Sequence, residues 1–277
     1  MPDAGAGRPA VAPPRRFVPP SRGEVDPACF AHPLLAPYAR WHALLAGPQW
    51  PAVVAFDAAL SIPGKQLVEQ DHALLADGLH YEQRIAAGRI ATRPCNWHDL
   101  FNALAWARYP GLKHALNARQ CSDIDRVGPR RRTAAQQALT QFDESGLVVR
   151  VADTGLLAAW DAHDWQQLFV LRAQAWRDGA ISVAAAFGHA LLEQVVVPGR
   201  LLVGKCLVVV AGDDAAALEI AAQAIRSGKV LNAASELRPL PLAGIPGWHP
   251  RQDAGFYAGQ DYFRPLREGR TYPPPLR

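Results

Sequence analysis

Asn96-Trp97-His98-Asp99-Leu100-Phe101-Asn102-Ala103-Leu104-Ala105-Trp106 sets an unusual density of hydrogen-bonding side chains inside an apolar run. Asn96 followed three residues later by Asp99 comes close to a capping box, so the spacing predicts a helix over 96–109 with Asn96 as N-cap. Pro110-Gly111 ends it, and a second helix carries Lys113 to about Arg119. An amide or imidazole left unpaired away from water costs about 1–3 kcal/mol. The polar groups of this stretch must therefore satisfy one another or serve a ligand, metal or substrate.

Outward from this pair of helices, residues 1 to about 24 are rich in Pro, Gly, Ala and Arg and read as a disordered leader. Prolines at 33, 37, 48, 51 and 63 divide Pro27 to Leu79 into short helices joined by tight loops. Residues 133–142 form a short helix, Phe142-Asp143-Glu144-Ser145-Gly146 turns, and Leu147–Val151 has strand character. Gly155–Trp176 is helical in pattern, broken near Asp161-Ala162-His163-Asp164, where either Asp can cap the next helix. Residues 181–196 read as an almost wholly apolar, buried helix ended by Pro198-Gly199. Leu207–Val210 reads as a strand, and Asp213 or Asp214 caps an alanine-rich helix running to Ser227-Gly228. From Arg238 the chain is proline- and aromatic-rich and reads as an extended tail over the core. The expected fold is α+β: a mostly helical single domain over 25–277 with a small minor sheet.

Composition bounds the function classes. The chain has 277 residues, 49% hydrophobic, enough for a sizeable core. Its charge of +4 and pI near 9.0 come largely from arginine, and the one dense basic run, Arg130-Arg131-Arg132, is too short for a nucleic-acid stripe. Cys29, Cys95, Cys121 and Cys206 lie far apart with no Cys-x-x-Cys pair, which argues against a zinc knuckle or disulfide framework and for reduced, buried thiols. No apolar run is long enough to span a bilayer, so a cytoplasmic protein with no membrane partner is expected.

The chemistry-bearing residues form three groups. In the 181–196 helix, Ser182, Ala186, His189 and Glu193 share one face, and a His and a carboxylate four apart can share a metal or form a proton-transfer pair. A buried His–Glu bond fixing helix packing is the alternative use of the same spacing. His98, Asn102 and Trp106 lie on one side of their helix, with Asn102 placed to position a substrate or to bridge to a neighbouring helix. Lys113 and Asn117, also four apart, face the same way. With Trp97 they make a candidate ligand-binding set, Lys113 offering charge to an anionic ligand. Asp143-Glu144 precede a glycine at the mouth of a strand, where carboxylates can bind a divalent ion or simply make a turn. His98, Asp143, Glu144, His189 and Glu193 together would supply the mixed imidazole and carboxylate set favoured by zinc, iron or manganese. There is no Gly-x-Ser-x-Gly, Walker loop, His-Glu-x-x-His or dinucleotide glycine pattern.

Four motifs in order carry a resemblance: Asn-Trp-His-Asp-Leu-Phe-Asn-Ala-Leu at 96–104, Phe-Asp-Glu-Ser-Gly at 142–146, Gly-His-Ala-Leu-Leu-Glu at 188–193, and Leu-Pro-Leu-Ala-Gly-Ile-Pro-Gly-Trp at 240–248 followed by Tyr-Phe-Arg-Pro at 262–265. From about Asp26 to Arg264 the chain resembles the bacterial domain of unknown function family 3025. The resemblance implies a single-domain bacterial protein and supplies no activity. Tyr-Pro-Gly-Leu-Lys at 109–113 departs from the Phe-Pro-x-Thr-Lys form expected there but keeps Lys113.

Two function classes follow. One is a small-molecule enzyme, a metal-assisted hydrolase, in which His98 or His189 is ligand or general base and Glu193 or Asp143 ligand or orienter. The other is a non-catalytic binding or interaction protein whose polar motifs are structural while Trp248, Phe256, Tyr257, Tyr262 and Phe263 present a contact surface. Convergence of His98, Asp143, His189 and Glu193 on one open cavity would favour the first.

Overall fold

Two runs dominated by β-branched residues, Gly146–Val151 and Val203–Val210, are too apolar for the surface and lie side by side in the interior. In the computed structural model, which describes residues 17–258 and 261–277, they are the central strands of a four-stranded sheet. The strands are β1 (Gln66–Glu69), β2 (Arg89–Thr92), β3 (Gly146–Val151), β4 (Ile181–Ala186), β5 (Val203–Val210) and β6 (Arg238–Pro241). β1 and β2 form a separate parallel pair, and the larger sheet has the order β4-β3-β5-β6. β3 and β5 are parallel, with Leu147 opposite Cys206 and Val149 opposite Val208, while β4 and β6 flank them antiparallel. The helices that matter for the site are α1 (Tyr81–Ala86), α2 (Trp97–Arg108), α3 (Pro110–Val127), α4 (Ala134–Ser145), α5 (His189–Glu193) and α6 (Asp214–Arg226). The mostly helical α+β class is as expected, and the buried apolar residues form one cluster running from Val25 to Leu276. Among the described residues no helix is long and apolar enough to cross a membrane.

Several local readings need correction. The apolar helix expected over 181–196 is strand β4 followed by the short helix α5. Ile181-Ser-Val-Ala-Ala-Ala pairs with β3 on one edge while the alanine-rich α6 packs over it. Such a strand shows no period-two alternation, and without that signal an apolar run reads equally well as a helix. Ser182, placed on the His189 face by the helical reading, instead donates to Asp214 Oδ1 at 2.5 Å. The turn expected at 142–146 is absent: α4 runs to Ser145 and β3 begins at once. Pro110 opens α3 as its first residue, where its missing N–H costs nothing, and the helix continues to Val127, well past Arg119.

The expected leader also ends too late. Residues 1–16 lie outside the described residues, but Arg22 is buried, donates to the carbonyls of Gly47 (2.7 Å) and Leu44 (2.6 Å), and lies over the rings of Trp50 and Trp97. In the tail, Arg238–Pro241 pairs with β5 as β6, and Leu276 bonds back to Val208 and Val210 at β5's far end. The four cysteines are free, yet only Cys206 is buried and Cys95 is exposed. Asp164, one of the two expected caps, accepts from Gln167 N at 2.9 Å.

Two glycines set the geometry around the site. Gly146 joins α4 to β3, Gly188 joins β4 to α5, and the backbone N–H groups of Phe187 and Gly188 both donate to the Gly146 carbonyl, at 3.3 and 3.1 Å. A Cβ at Gly188 would collide with the backbone of Ser145 and Gly146, so the requirement is close approach rather than unusual dihedrals. The contact brings the last turn of α4 against the first residue of α5. Gly188→Ala is therefore expected to cost about 3 kcal/mol or more, in the range of severe core overpacking. Thermal unfolding of the variant checks this, and an unchanged midpoint would contradict it.

Candidate functional site

α2 places the first imidazole. Asn96 Oδ1 accepts from Asp99 N at 3.0 Å, and the buried Asp99 carboxylate accepts from Arg93 N at 2.6 Å and from the Arg93 guanidinium at 3.0 and 2.8 Å. This double anchoring holds the first turn of α2, and His98 projects from it towards α5. α5 supplies His189 and Glu193, one turn apart and on one face. They do not bond to each other. His98 stands between them, its Nδ1 3.3 Å from Glu193 Oε2 and its Nε2 3.0 Å from His189 Nε2. The two rings are 4.4 Å apart between centroids and inclined by 77°.

The last turn of α4 completes the group. Glu144 Oε2 lies 3.6 Å from His189 Nε2, and Asp143 Oδ2 lies 3.8 Å from His189 Nδ1. Single ligand atoms of His98, Glu144 and His189 fall within 4.8 Å of one another. Two carboxylates at a helix C-terminus oppose the macrodipole and need nearby positive charge. Lys113 meets part of that need: its buried ammonium donates to Asp143 Oδ1 at 2.5 Å and to Asn102 Oδ1 at 2.8 Å. Asn102 Nδ2 passes the network on to the Tyr81 hydroxyl at 3.0 Å. Asn102 thus bridges α2 to α3 and α1, one of the two uses its position in an apolar helix implied. Asn117, one turn beyond Lys113, donates to the Glu82 carbonyl (2.9 Å) and carboxylate (2.7 Å).

These surroundings move the titrating groups in different directions. Burial would lower His98, but the bond to Glu193 and the charges of Glu144, Glu193 and Asp99 outweigh it and raise its pKa. Burial dominates at His189 and carries it down to about 3 despite Asp143. Burial pushes Asp143 up, and Lys113 and His189 together hold it below its ordinary value. Glu144 is raised by burial, and burial carries Glu82 to about 7.

His98, Glu144 and His189 line a cavity of about 570 Å³, a volume suited to a small molecule. Asn102, Lys113, Asn117 and Asp143 also line it, together with Tyr81, Glu82, Arg93, Gln120, Gln136, Thr140 and Arg130–Arg132. Glu193 backs the cavity through His98. Trp97 alone of the expected set lies elsewhere: it packs among Phe30, Trp50 and Phe101 and donates to the Pro20 carbonyl. Tyr81 and Glu82 escaped the sequence reading because nothing in the short helix α1 signals them. The unmatched amides of Asn102 and Asn117 were the available hint that partners lay outside their own helices. The aromatic residues of the tail cover the core: Phe256 and Tyr257 pack with Phe263 and Phe169, and Tyr262 O–H donates to the Leu202 carbonyl.

The family model described as a protein of unknown function, DUF3025, matches residues 65–267, and the chain belongs to that family. No curated protein and no solved structure matches it.

The His189 environment fixes a direction of pH dependence. Its folded pKa of about 3 lies below the unfolded value of about 6.5, so between these the unfolded chain binds the extra proton. Stability carried by neutral His189 is present above about pH 6.5 and is lost as pH falls towards 3. His98, raised, works oppositely: its contribution is held at low pH and lost as pH rises through its folded value. In chelator, the melting temperature of the wild type should fall more steeply from pH 7 to 4.5 than that of His189→Gln. Parallel curves would contradict this placement of His189.

Proposed function

We propose that the cavity is the site of a small-molecule hydrolase assisted by one divalent metal ion, held by His98 Nε2, His189 Nε2 and a Glu144 oxygen. The observation that carries the reading is the pair of imidazole Nε2 atoms facing each other at 3.0 Å beside a carboxylate, at the wall of a cavity. With metal–nitrogen distances of about 2.0–2.1 Å, two ligands of one ion stand about 2.9–3.4 Å apart. The observed spacing falls in that interval.

Two further features fit a cation between the rings. Glu193 behind His98 supplies the carboxylate that commonly holds a ligating imidazole, keeping the proton on Nδ1 and leaving Nε2 free. His189 Nδ1 is buried with no hydrogen-bond partner among the described residues. If the imidazoles merely bonded to each other with His98 Nε2 accepting, that Nδ1 would be a stranded acceptor, whereas a charged His98 donating from Nε2 would leave the proton on His189 Nδ1 without any ion, so this atom is compatible with a cation and does not by itself call for one. If both Nε2 atoms are ligands, Nδ1 keeps a proton directed towards the carboxylate of Asp143. A bound ion would supply Lewis acidity and an acidified water. Around it, Lys113 keeps Asp143 ionised, Asp143 steadies His189, and Asn102 and Tyr81 hold Lys113 in place. Three protein ligands leave a coordination position open, the arrangement of catalytic rather than structural sites.

Elemental analysis of untagged protein tests this. A near-stoichiometric transition metal in the wild type, lost in His189→Ala and in Glu144→Gln, is expected. Turnover of p-nitrophenyl acetate or p-nitrophenyl phosphate should vanish on chelation. A metal-free wild type that also takes up no added Zn²⁺ or Mn²⁺ would leave a plain His–His hydrogen bond as the better account.

A further inference from the structure

We propose that the cavity takes an anionic small molecule, gripped at the mouth through phosphate or carboxylate oxygens by Arg130, Arg131 and Arg132. This rests on the small-molecule reading of the cavity, though not on the bound ion. Lys113 was the residue that the sequence pointed to for an anion, yet its ammonium is committed to Asp143 and Asn102. Arg93 is likewise committed, forked onto Asp99. Two lining carboxylates remain. Glu144 faces the imidazoles, and Glu82 is turned inward onto the Asn117 amide.

The three arginines are different. They sit on the loop between α3 and α4, all exposed and all lining the cavity, and none makes an ion pair among the described residues. Consecutive guanidinium groups repel, and a solvated charge run has no reason to gather over a cavity. Arg132 is anchored there: it donates to Thr140 Oγ1 at 2.5 Å, and Thr140 accepts in turn from Gln120 Nε2 at 3.2 Å. That bond uses one of five N–H groups and leaves the others for a ligand. The neighbouring start of α4 is already closed by Thr133 and Gln136 capping each other, so its backbone N–H groups add little and the guanidinium groups must bind the anion themselves. Their planar fork matches phosphate and carboxylate oxygens two at a time.

The test uses the full chain treated with chelator, titrated calorimetrically with sodium pyrophosphate and with sodium succinate at ionic strength held constant by NaCl. The comparisons are the triple variant Arg130→Gln, Arg131→Gln, Arg132→Gln, which gives up the Arg132–Thr140 bond and whose unliganded melting temperature is measured beside it, and the double variant Arg130→Gln, Arg131→Gln, which keeps that bond. Saturable binding of one probe by the wild type, weakened at least tenfold in the triple variant, is expected. Pyrophosphate binding would identify a phosphate-bearing ligand and succinate binding a carboxylate. Equal binding by the variant, or no saturable binding of either probe, would overturn the proposal. Binding that needs added Zn²⁺ and survives in the triple variant would also overturn it, while leaving the metal reading intact. Arginine-dependent binding in a protein that takes up no metal would sink the metal reading alone.

Discussion

The contact between Gly146 and Gly188 is the constraint on which the site depends. Two chain reversals, one from helix into strand and one from strand into helix, meet where neither residue has a side chain. The Gly146 carbonyl accepts from both Phe187 and Gly188, which locks the ends of β3 and β4 at one level. Asp143 and Glu144 then fall directly opposite His189. A methyl group on Gly188 would press on the Ser145–Gly146 backbone and separate α4 from α5, and one on Gly146 would collide with the Phe142 carbonyl and the Phe187 ring. Because the strands beyond the junction are buried and paired along their length, the helix ends inherit the rigidity of the sheet.

Charge is the second organising constraint. Carboxylates at the C-terminus of α4 stand at the wrong end of a helix dipole, and burial makes their ionisation costlier still. The fold answers with one buried ammonium, Lys113, which would itself be untenable without Asp143 and Asn102. Among the described residues Glu144 has no such partner and lies beside the imidazoles of His98 and His189. That imbalance distinguishes Glu144 from Asp143 within the cluster. The cavity thus joins paired charges around Lys113 to three exposed arginines, Arg130–Arg132, that make no ion pair among the described residues.

Much of this was legible in sequence, and the failures have a common cause. The helix opening at Asn96, the strand at Leu147–Val151 and the helix capped at Asp213 announce themselves through local signals: a capping side chain, a β-branched run, a 3.6-residue period. Strand β4 gave no such signal, since alanines under α6 carry no alternation. The strands β1 and β2 are four residues each and stabilise only as a pair across two intervening short helices, which no local window can register. Lys113 and Asn102 were visible as polar residues without an obvious surface, though their partners were not.

The members of the candidate cluster could be picked out from the sequence: His98, Asn102, Lys113, Asp143, Glu144, His189 and Glu193 stand out because polar groups in apolar surroundings must find partners. Which partner each one finds was decided by tertiary structure. The His189–Glu193 spacing suggested a pair, but the packing of α5 on α2 inserts His98 between them. Trp97, adjacent to His98 in the chain, points to the opposite side and belongs to the core. Local sequence sets the direction of a side chain from its own helix or strand. Only the meeting of two elements distant in the chain determines what lies in front of it.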